Sequence, residues 1–277
     1  MVYSVAAATR NLICEMLCVE RVMGYALMFR ELRRYLEAVL KQKYNLWQVG
    51  KQTTLLTRSG VLEKIPETRK RVYYKLAKPL DYRVIERAHI QVRVDDDTLI
   101  ARYNITMTIR NTGRHHLYYI GTMIKGNTSR SVENLKLRVY MQEPEKRPLR
   151  YMIYNDLQYI RQIVIMPHRP LKPGEVMTYT LSYEWDFVSN YIEYAECTTT
   201  KQILYELYYD PTIEYEFEVR EFEKDPMKFE RVTGRGKLYP PRRLRGGRAL
   251  VKWEGPGPQP FYYQRFLRRV PVPGIPY

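Results

Sequence analysis

Residues 59–79, "SGVLEKIPETRKRVYYKLAKP", decide how the first part of this chain is interpreted. Two runs with β-branched and aromatic residues, 61–65 and 72–76, flank the turn "ETRK", which is typical of a two-stranded hairpin. Basic residues crowd this stretch and the position just before it: Arg58, Lys64, Arg69, Lys70, Arg71, Lys75 and Lys78. Their charges alone do not distinguish a solvated hairpin from a surface that binds phosphate. The segments before the hairpin are needed to decide between the two.

Three helices are predicted ahead of the hairpin. Apolar residues recur at helical spacing over residues 9–23 and 26–41. Asn45 is a suitable N-cap for a third helix, which Gly60 would end in the left-handed conformation. The residues predicted to form the buried face of this third helix are Trp47, Val49, Leu55 and Leu56.

This order of helices and hairpin resembles the winged helix-turn-helix of bacterial and archaeal transcriptional regulators. The matching segments are "YALMFRELRRYLEAVL" before the turn, "NLWQVGKQTTLLTRSG" as the recognition helix and "VLEKIPETRKRVYYKLAKP" as the wing. The wing pattern is carried by Gly60, Val61, Leu62, Glu63, Lys64, Arg71, Tyr73 or Tyr74, and Leu76. The resemblance covers about 70 of the 277 residues.

The resemblance implies binding to double-stranded DNA. A recognition helix presents polar side chains to base edges in the major groove, while a basic wing lies along the phosphates. The implied DNA-binding residues are Gln48, Lys51, Gln52, Thr54, Arg58, Lys64, Arg69, Lys70 and Arg71. Gly50 inside the helix and the long turn "KQKYN" depart from the family pattern, so protein or RNA binding by the same scaffold stays an alternative.

The charge distribution favours a polyanionic partner. The formal net charge is +16, with +9 on residues 1–79, −3 on residues 80–230 and +10 on residues 231–277. Nucleic acid is the commonest partner of such a chain and an anionic membrane surface the second, although some proteins are merely basic. The 26 tyrosines and the dispersed charges are typical of thermophile proteins, in which ion-pair networks matter more.

Residues 80–230 read as a series of strands separated by turn signals, which predicts an antiparallel sandwich. The segment "LKPGEVMTYTLSYEW" is similar to immunoglobulin-like sandwiches in architecture only. We therefore expect an α+β chain of two domains: a winged helix-turn-helix at 1–79 and an all-β antiparallel sandwich at 80–230. A basic tail rich in Gly, Pro and Arg, 231–277, is expected to contain one strand at 248–253 and to pack partly on the sandwich.

Catalytic and metal-binding patterns do not emerge from the sequence. The histidines and cysteines lack zinc spacing, and residues 95–97 read as an acidic turn. We expect no enzyme activity, no metal and no cofactor. Cys14 and Cys18 fall at i, i+4 core positions of a helix, and three cysteines make no disulfide framework, which predicts a reducing, cytoplasmic setting. The sequence has no stretch of about 20 apolar residues, so no membrane-spanning helix is predicted.

The predicted function is that of a DNA-binding transcriptional regulator whose sandwich senses a ligand or mediates assembly. Its expected partners are double-stranded DNA, a second copy of the chain in a homodimer, and an unidentified ligand or protein at the sandwich. The alternative is a non-enzymatic interaction or structural protein with non-specific affinity for nucleic acid. Selection from random duplexes separates the two, because only a regulator recovers a sequence motif.

Overall fold

The computed structural model describes residues 5–23, 25–43, 45–68, 71–95, 97–98, 100–126, 129–143, 145–186, 191–213, 215–221, 231–232, 236–257 and 262–268. Within these ranges the α-helices are α1 (Val5–Val22), α2 (Phe29–Leu40) and α3 (Leu46–Arg58). Both predicted ends of α3 are confirmed. The Asn45 side-chain oxygen accepts a hydrogen bond from the Gln48 N–H at 2.8 Å, and Gly60 follows the helix with φ at 69°.

Strands make up most of the regular structure of the described residues. The first nine are β1 (Leu27–Met28), β2 (Leu62–Pro66), β3 (Val72–Leu76), β4 (Leu80–Asp95), β5 (Ile100–Asn111), β6 (Ile120–Lys125), β7 (Arg138–Glu143), β8 (Arg147–Pro148) and β9 (Arg150–Asp156). The later strands are β10 (Ile160–Met166), β11 (Val176–Asp186), β12 (Tyr191–Ala195), β13 (Thr198–Tyr209), β14 (Tyr215–Glu221), β15 (Arg231–Val232), β16 (Lys237–Arg243), β17 (Ala249–Gly255) and β18 (Tyr262–Arg268).

These strands form four sheets. The predicted hairpin is confirmed as β2 and β3, and β1 adds to it in the order β1-β3-β2. The largest sheet has the order β16-β17-β13-β4-β5-β11-β7-β8, and the two smaller ones have the orders β6-β10-β9 and β12-β18-β14-β15. Strand β13 runs parallel to β4, whereas the other described pairs are antiparallel.

The predicted fold class, an α+β chain with a winged helix-turn-helix, an antiparallel sandwich and a basic tail, is wrong. The chain is mostly β, its large sheet is mixed, and the segment expected as a tail supplies β16 and β17 to that sheet. The strand predicted at 248–253 is confirmed as β17, in which the alternating residues Ala249, Val251 and Trp253 are buried. The boundaries proposed at residues 79 and 230 stay predictions.

The main core lies against one face of the eight-stranded sheet. Trp185, Tyr179 and Tyr205 are among its fully buried side chains. The ring of Tyr205 meets that of Phe266 edge-on at 4.9 Å between centroids, which ties β13 to β18 of the four-stranded sheet. Residues of β6 and β10 complete the same cluster, so three of the four sheets share one core.

A second core joins the helices to the β-rich part. It combines apolar residues of all three helices and the β1–β3 sheet with Tyr154, Val164 and Cys197 from later strands and loops. The Tyr35 ring of α2 packs edge-on against that of Tyr154 at 5.3 Å. None of the helices in the described ranges combines the length and apolar character that crossing a membrane requires.

Helix α1 is fixed to the β-rich part by a buried ionic cluster. Oε1 of Glu15 accepts hydrogen bonds from Arg83 Nε at 3.1 Å and the Tyr82 hydroxyl at 2.8 Å, while Oε2 accepts the Gly121 N–H at 2.8 Å. Arg83 Nη2 also lies 3.4 Å from Glu196. Burial disfavours the charged guanidinium, but the two carboxylates outweigh it and raise the pKa of Arg83. Removing one partner would leave an uncompensated buried charge.

The expected absence of a disulfide is also wrong. Cys18 of α1 and Cys197, just before β13, form a disulfide with their Cα atoms 5.8 Å apart. Cys14 is free and buried, and burial raises the pKa of its thiol. The i, i+4 spacing of Cys14 and Cys18 correctly placed both on a helix, but it carries no information about a partner 179 positions further along the chain.

Candidate nucleic-acid interface

Helix α3 has one buried and one exposed face. Val49, Thr53 and Leu56, spaced at i, i+4 and i+7, are buried, and this stripe sets the rotation of the helix. Trp47 is 70% exposed and Leu55 43% exposed, so the prediction that both are buried is wrong. Thr53 can take a core position because its hydroxyl donates to the Val49 carbonyl at 3.2 Å.

Three of the predicted DNA-binding residues share the exposed face of α3. Lys51, Thr54 and Arg58 lie there beside Trp47, since positions 47, 51, 54 and 58 fall on one side of a helix. The Lys51 ammonium lies 5.3 Å from the centre of the Trp47 ring, which is a cation–π contact. The face therefore combines two cations, a hydroxyl and an exposed aromatic ring.

The two predicted glutamines are engaged in local contacts. Gln48 is exposed, but its side-chain oxygen accepts the Asn45 N–H at 3.0 Å in the capping box. Gln52 is half-buried and accepts a hydrogen bond from Arg10 Nη1 of α1 at 3.1 Å. Gln52 thus faces α1, away from the side that carries Lys51 and Arg58.

The hairpin contributes the remaining predicted residues. Lys64 of β2 and Arg71 at the start of β3 are exposed, while Arg69 and Lys70 lie outside the described residues. Arg71 lies 3.8 Å from Glu67, and Lys75 lies 3.0 Å from Glu63. The first pair is exposed and the second partly exposed, and both neutralise part of the hairpin's charge.

The net charge of this surface comes from its unpaired cations. In the part of the chain that the structure describes, no carboxylate lies within ion-pair distance of Lys51, Arg58 or Lys64. Arg10, which contacts α3 from its α1 side, was not among the predicted residues, and Trp47 was predicted to be buried although it is exposed. The i, i+4 spacing of Trp47 and Lys51 is a signal that could have placed that ring on the exposed face.

Gly50 and the long turn between α2 and α3, the two departures from the family pattern, both fit the observed structure. A Cβ added at Gly50 would lie 3.9 Å from the Phe29 ring, an ordinary contact distance, so the glycine is not required by packing. The long turn between α2 and α3 begins at Lys41, which adopts a left-handed conformation with φ at 50°. That residue ends α2 and redirects the chain toward the Asn45 cap.

Comparisons with known proteins give no family assignment. No family model matches this sequence, and no curated protein matches it. Among solved structures, the M1 zinc metallopeptidase from Deinococcus radiodurans is similar with a TM-score of 0.44 and 10% identity, over 69% of this chain and 43% of that one. A mutant two-domain M1 zinc metallopeptidase bound to L-tryptophan gives a TM-score of 0.44 and 10% identity over 69% and 44%. This chain thus spans less than half the length of these structures.

Proposed function

We propose that this chain is a DNA-binding transcriptional regulator that contacts the duplex through α3 and the β2–β3 hairpin. The observation that carries the proposal is the group of three exposed, unpaired cations, Lys51, Arg58 and Lys64, beside the exposed ring of Trp47. A net charge of +16 favours the same class of partner.

The exposed groups have different roles in this proposal. Lys51 and Thr54, near the middle of α3, contact base edges, where Lys pairs with guanine and the Thr methyl with thymine. Arg58, Lys64 and Arg71 contact phosphates, which position the protein without reading sequence. Gln52 accepts a hydrogen bond from Arg10 and so supports α3 from its α1 side. Gln48 caps the start of α3 and also places a polar side chain on the exposed surface.

The salt dependence of DNA binding tests the proposed contacts between these cations and the phosphates. The double variant Arg58→Ala/Lys64→Ala removes two cations that contact phosphates in this proposal, so the slope of log affinity against log salt should become shallower by about 2. Arg138→Ala, which removes an exposed arginine from β7, is the matched control and should leave the slope unchanged. Equal slopes for the double variant and the wild type would contradict the proposal.

Selection from random duplexes tests the sequence-reading part. A regulator should recover a motif, and a palindrome with half-sites one or more helical turns apart would indicate a dimer. Thr54→Ala should then relax the preference at one position without changing the salt slope. Absence of any enriched sequence would favour the second candidate function.

That second candidate is a protein-interaction module with non-specific affinity for nucleic acid. It is favoured by the exposed apolar side chains of α3, which are Leu46, Trp47 and Leu55. Exposed apolar patches mark protein contacts. Trp47→Ala separates the two candidates: loss of a protein partner with intact DNA affinity supports the interaction module.

The cellular setting and the partners of the β-rich part belong to the same proposal. A cytoplasmic location is compatible with the Cys18–Cys197 disulfide because intracellular proteins of hyperthermophiles retain disulfides. A homodimer and an unidentified ligand or protein partner are proposed for the β-rich part. Size-exclusion chromatography with light scattering, with and without DNA, would determine the oligomeric state.

A further inference from the structure

A cavity of about 170 Å³ lies behind α3, where helix α1, the segment 78–82 and the loop 113–117 meet. Its floor is apolar and formed by buried side chains: Cys14, Leu56, Leu80 and Leu117. For comparison, a dry apolar cavity of about 150 Å³ accommodates benzene. The cavity therefore has room for one small ring or a short branched chain.

The rim of this cavity carries excess positive charge. Arg10, Lys78 and Arg114 line it, and the carboxylate among the lining residues, Asp81, lies 3.1 Å from the Lys78 ammonium. Arg10 is half-buried, and its guanidinium donates to the neutral side chain of Gln52. No carboxylate of the described residues forms an ion pair with Arg10 or Arg114. A half-buried cation beside an apolar floor favours an anionic occupant with an apolar body.

Hydrogen bonds hold the walls of the cavity in place. The Thr112 and Gly113 N–H groups both donate to the Tyr82 carbonyl, at 3.0 and 2.9 Å, and the Tyr82 hydroxyl donates to Glu15. A Cβ at position 113 would approach the Tyr82 Cβ to 2.8 Å, so the loop can pack this closely only with glycine there. Because the walls are fixed before a ligand arrives, little ordering entropy is lost on binding.

We propose that this cavity binds a small organic monocarboxylate, with its ring or branched chain on the apolar floor and its carboxylate on Arg10. The planar guanidinium can pair with both oxygens of a carboxylate. Arg114, which also lines the cavity, adds a second positive charge. The cavity is too small for a nucleotide or a peptide, which restricts the ligand to this size class.

The site is connected to the proposed DNA interface through α3. Arg10 contacts both the cavity and Gln52, and Leu56, on the same helix, forms part of the floor. A bound carboxylate competes with Gln52 for the Arg10 guanidinium and so changes the support of α3 from its buried side. This regulatory step rests on the proposed function, whereas ligand binding in the cavity does not.

Calorimetric titration of the full chain tests the site, with benzoate as the probe and benzamide as its neutral isostere. Benzoate should bind with one-to-one stoichiometry and at least tenfold more tightly than benzamide, because the Arg10 contact is charge-assisted. Arg10→Met keeps an apolar stem but removes the charge, and should weaken benzoate at least tenfold without changing benzamide. Arg150→Met, an exposed arginine on β9, is the control and should bind as the wild type does.

A second variant addresses the apolar part of the site. Ala7→Met on α1 extends a side chain toward the cavity without altering charge, and should weaken both probes. Thermal melting verifies that each variant is folded. Benzoate that binds no better than benzamide, or that is unaffected by Arg10→Met and Ala7→Met, would overturn the site.

DNA affinity measured with and without saturating benzoate tests the coupling. A change of fivefold or more is expected for the wild type, and no change for Arg10→Met. Benzoate binding with a DNA affinity constant to within twofold would refute the regulatory step alone. DNA binding without benzoate tests the proposed function alone, so the two failures are distinguishable.

Discussion

The disulfide between Cys18 and Cys197 should be a large contributor to the stability of this protein. It closes a loop of 179 positions between α1 and β13. Loop-closure entropy for a loop of this length corresponds to about 5 kcal/mol, while measured disulfides more often contribute about 2–4 kcal/mol. Both cysteines are buried, so reduction changes little packing, and we expect a loss of about 2–5 kcal/mol. That is a large share of the roughly 5–15 kcal/mol typical of folded domains.

Urea denaturation of the oxidised protein, the reduced protein and the variant Cys18→Ala/Cys197→Ala measures this loss. The reduced protein should unfold at a lower urea concentration than the oxidised one, and the double variant should not respond to reductant. Cys14→Ala is the matched control: it removes the free cysteine and should keep the difference between oxidised and reduced forms. Peptide mapping without reductant should show residues 18 and 197 linked.

Two results would refute this reasoning. One is a urea midpoint that reductant leaves unchanged although both thiols are titrated as free afterwards. The other is a peptide map of the native protein in which Cys18 and Cys197 are alkylated as readily as Cys14 in denaturant. Either result would show that the proximity of the two sulfurs does not contribute a stabilising covalent link.

Three further substitutions test other parts of the structure, each by urea denaturation. Burial raises the pKa of Glu20 from 4.5 to about 7. The folded protein thus keeps a proton that the unfolded chain releases, and stability should fall as pH rises from about 4.5 to 7. Glu20→Gln should remove up to about 3 kcal/mol of this dependence, and an unaltered pH profile would contradict the assignment. Gly121→Ala should destabilise by about 1–3 kcal/mol because its Cβ would meet the Glu15 carbonyl oxygen at 2.5 Å; a neutral effect would mean that α1 packs less closely. Gly50→Ala should stabilise by about 0.5–1 kcal/mol, since only the Phe29 ring lies near, at 3.9 Å; destabilisation would show that the helix needs glycine there.

The features that the sequence predicted correctly are local ones. The Asn45 cap, the left-handed Gly60 and the β2–β3 hairpin each depend on residues a few positions apart, and the structure has all three. The exposure of Lys51, Thr54 and Arg58 follows from the same helix. Their role in DNA binding does not follow from helix geometry and stays a proposal.

The features that the sequence missed depend on distant partners or on a polar residue in an apolar place. Glu15 and Arg83 are 68 positions apart, and the parallel pairing of β4 with β13 spans more than a hundred. Trp47 was predicted to be buried because one of the buried positions of α3 is occupied by Thr53. A polar residue at a core position is not detected by a pattern of apolar residues. Parallel pairing and buried ion pairs cannot be read from short windows, since neither leaves a local period.

The partners of helix α1 are synthesised at very different times. The last of them, Cys197, follows Cys18 by 179 positions. At roughly 5–20 residues per second, the ribosome needs about 10–40 s to synthesise that interval. Glu15 can therefore meet Arg83 and Gly121 well before synthesis reaches Cys197, whereas the Cys18 thiol stays without its disulfide partner for that whole interval.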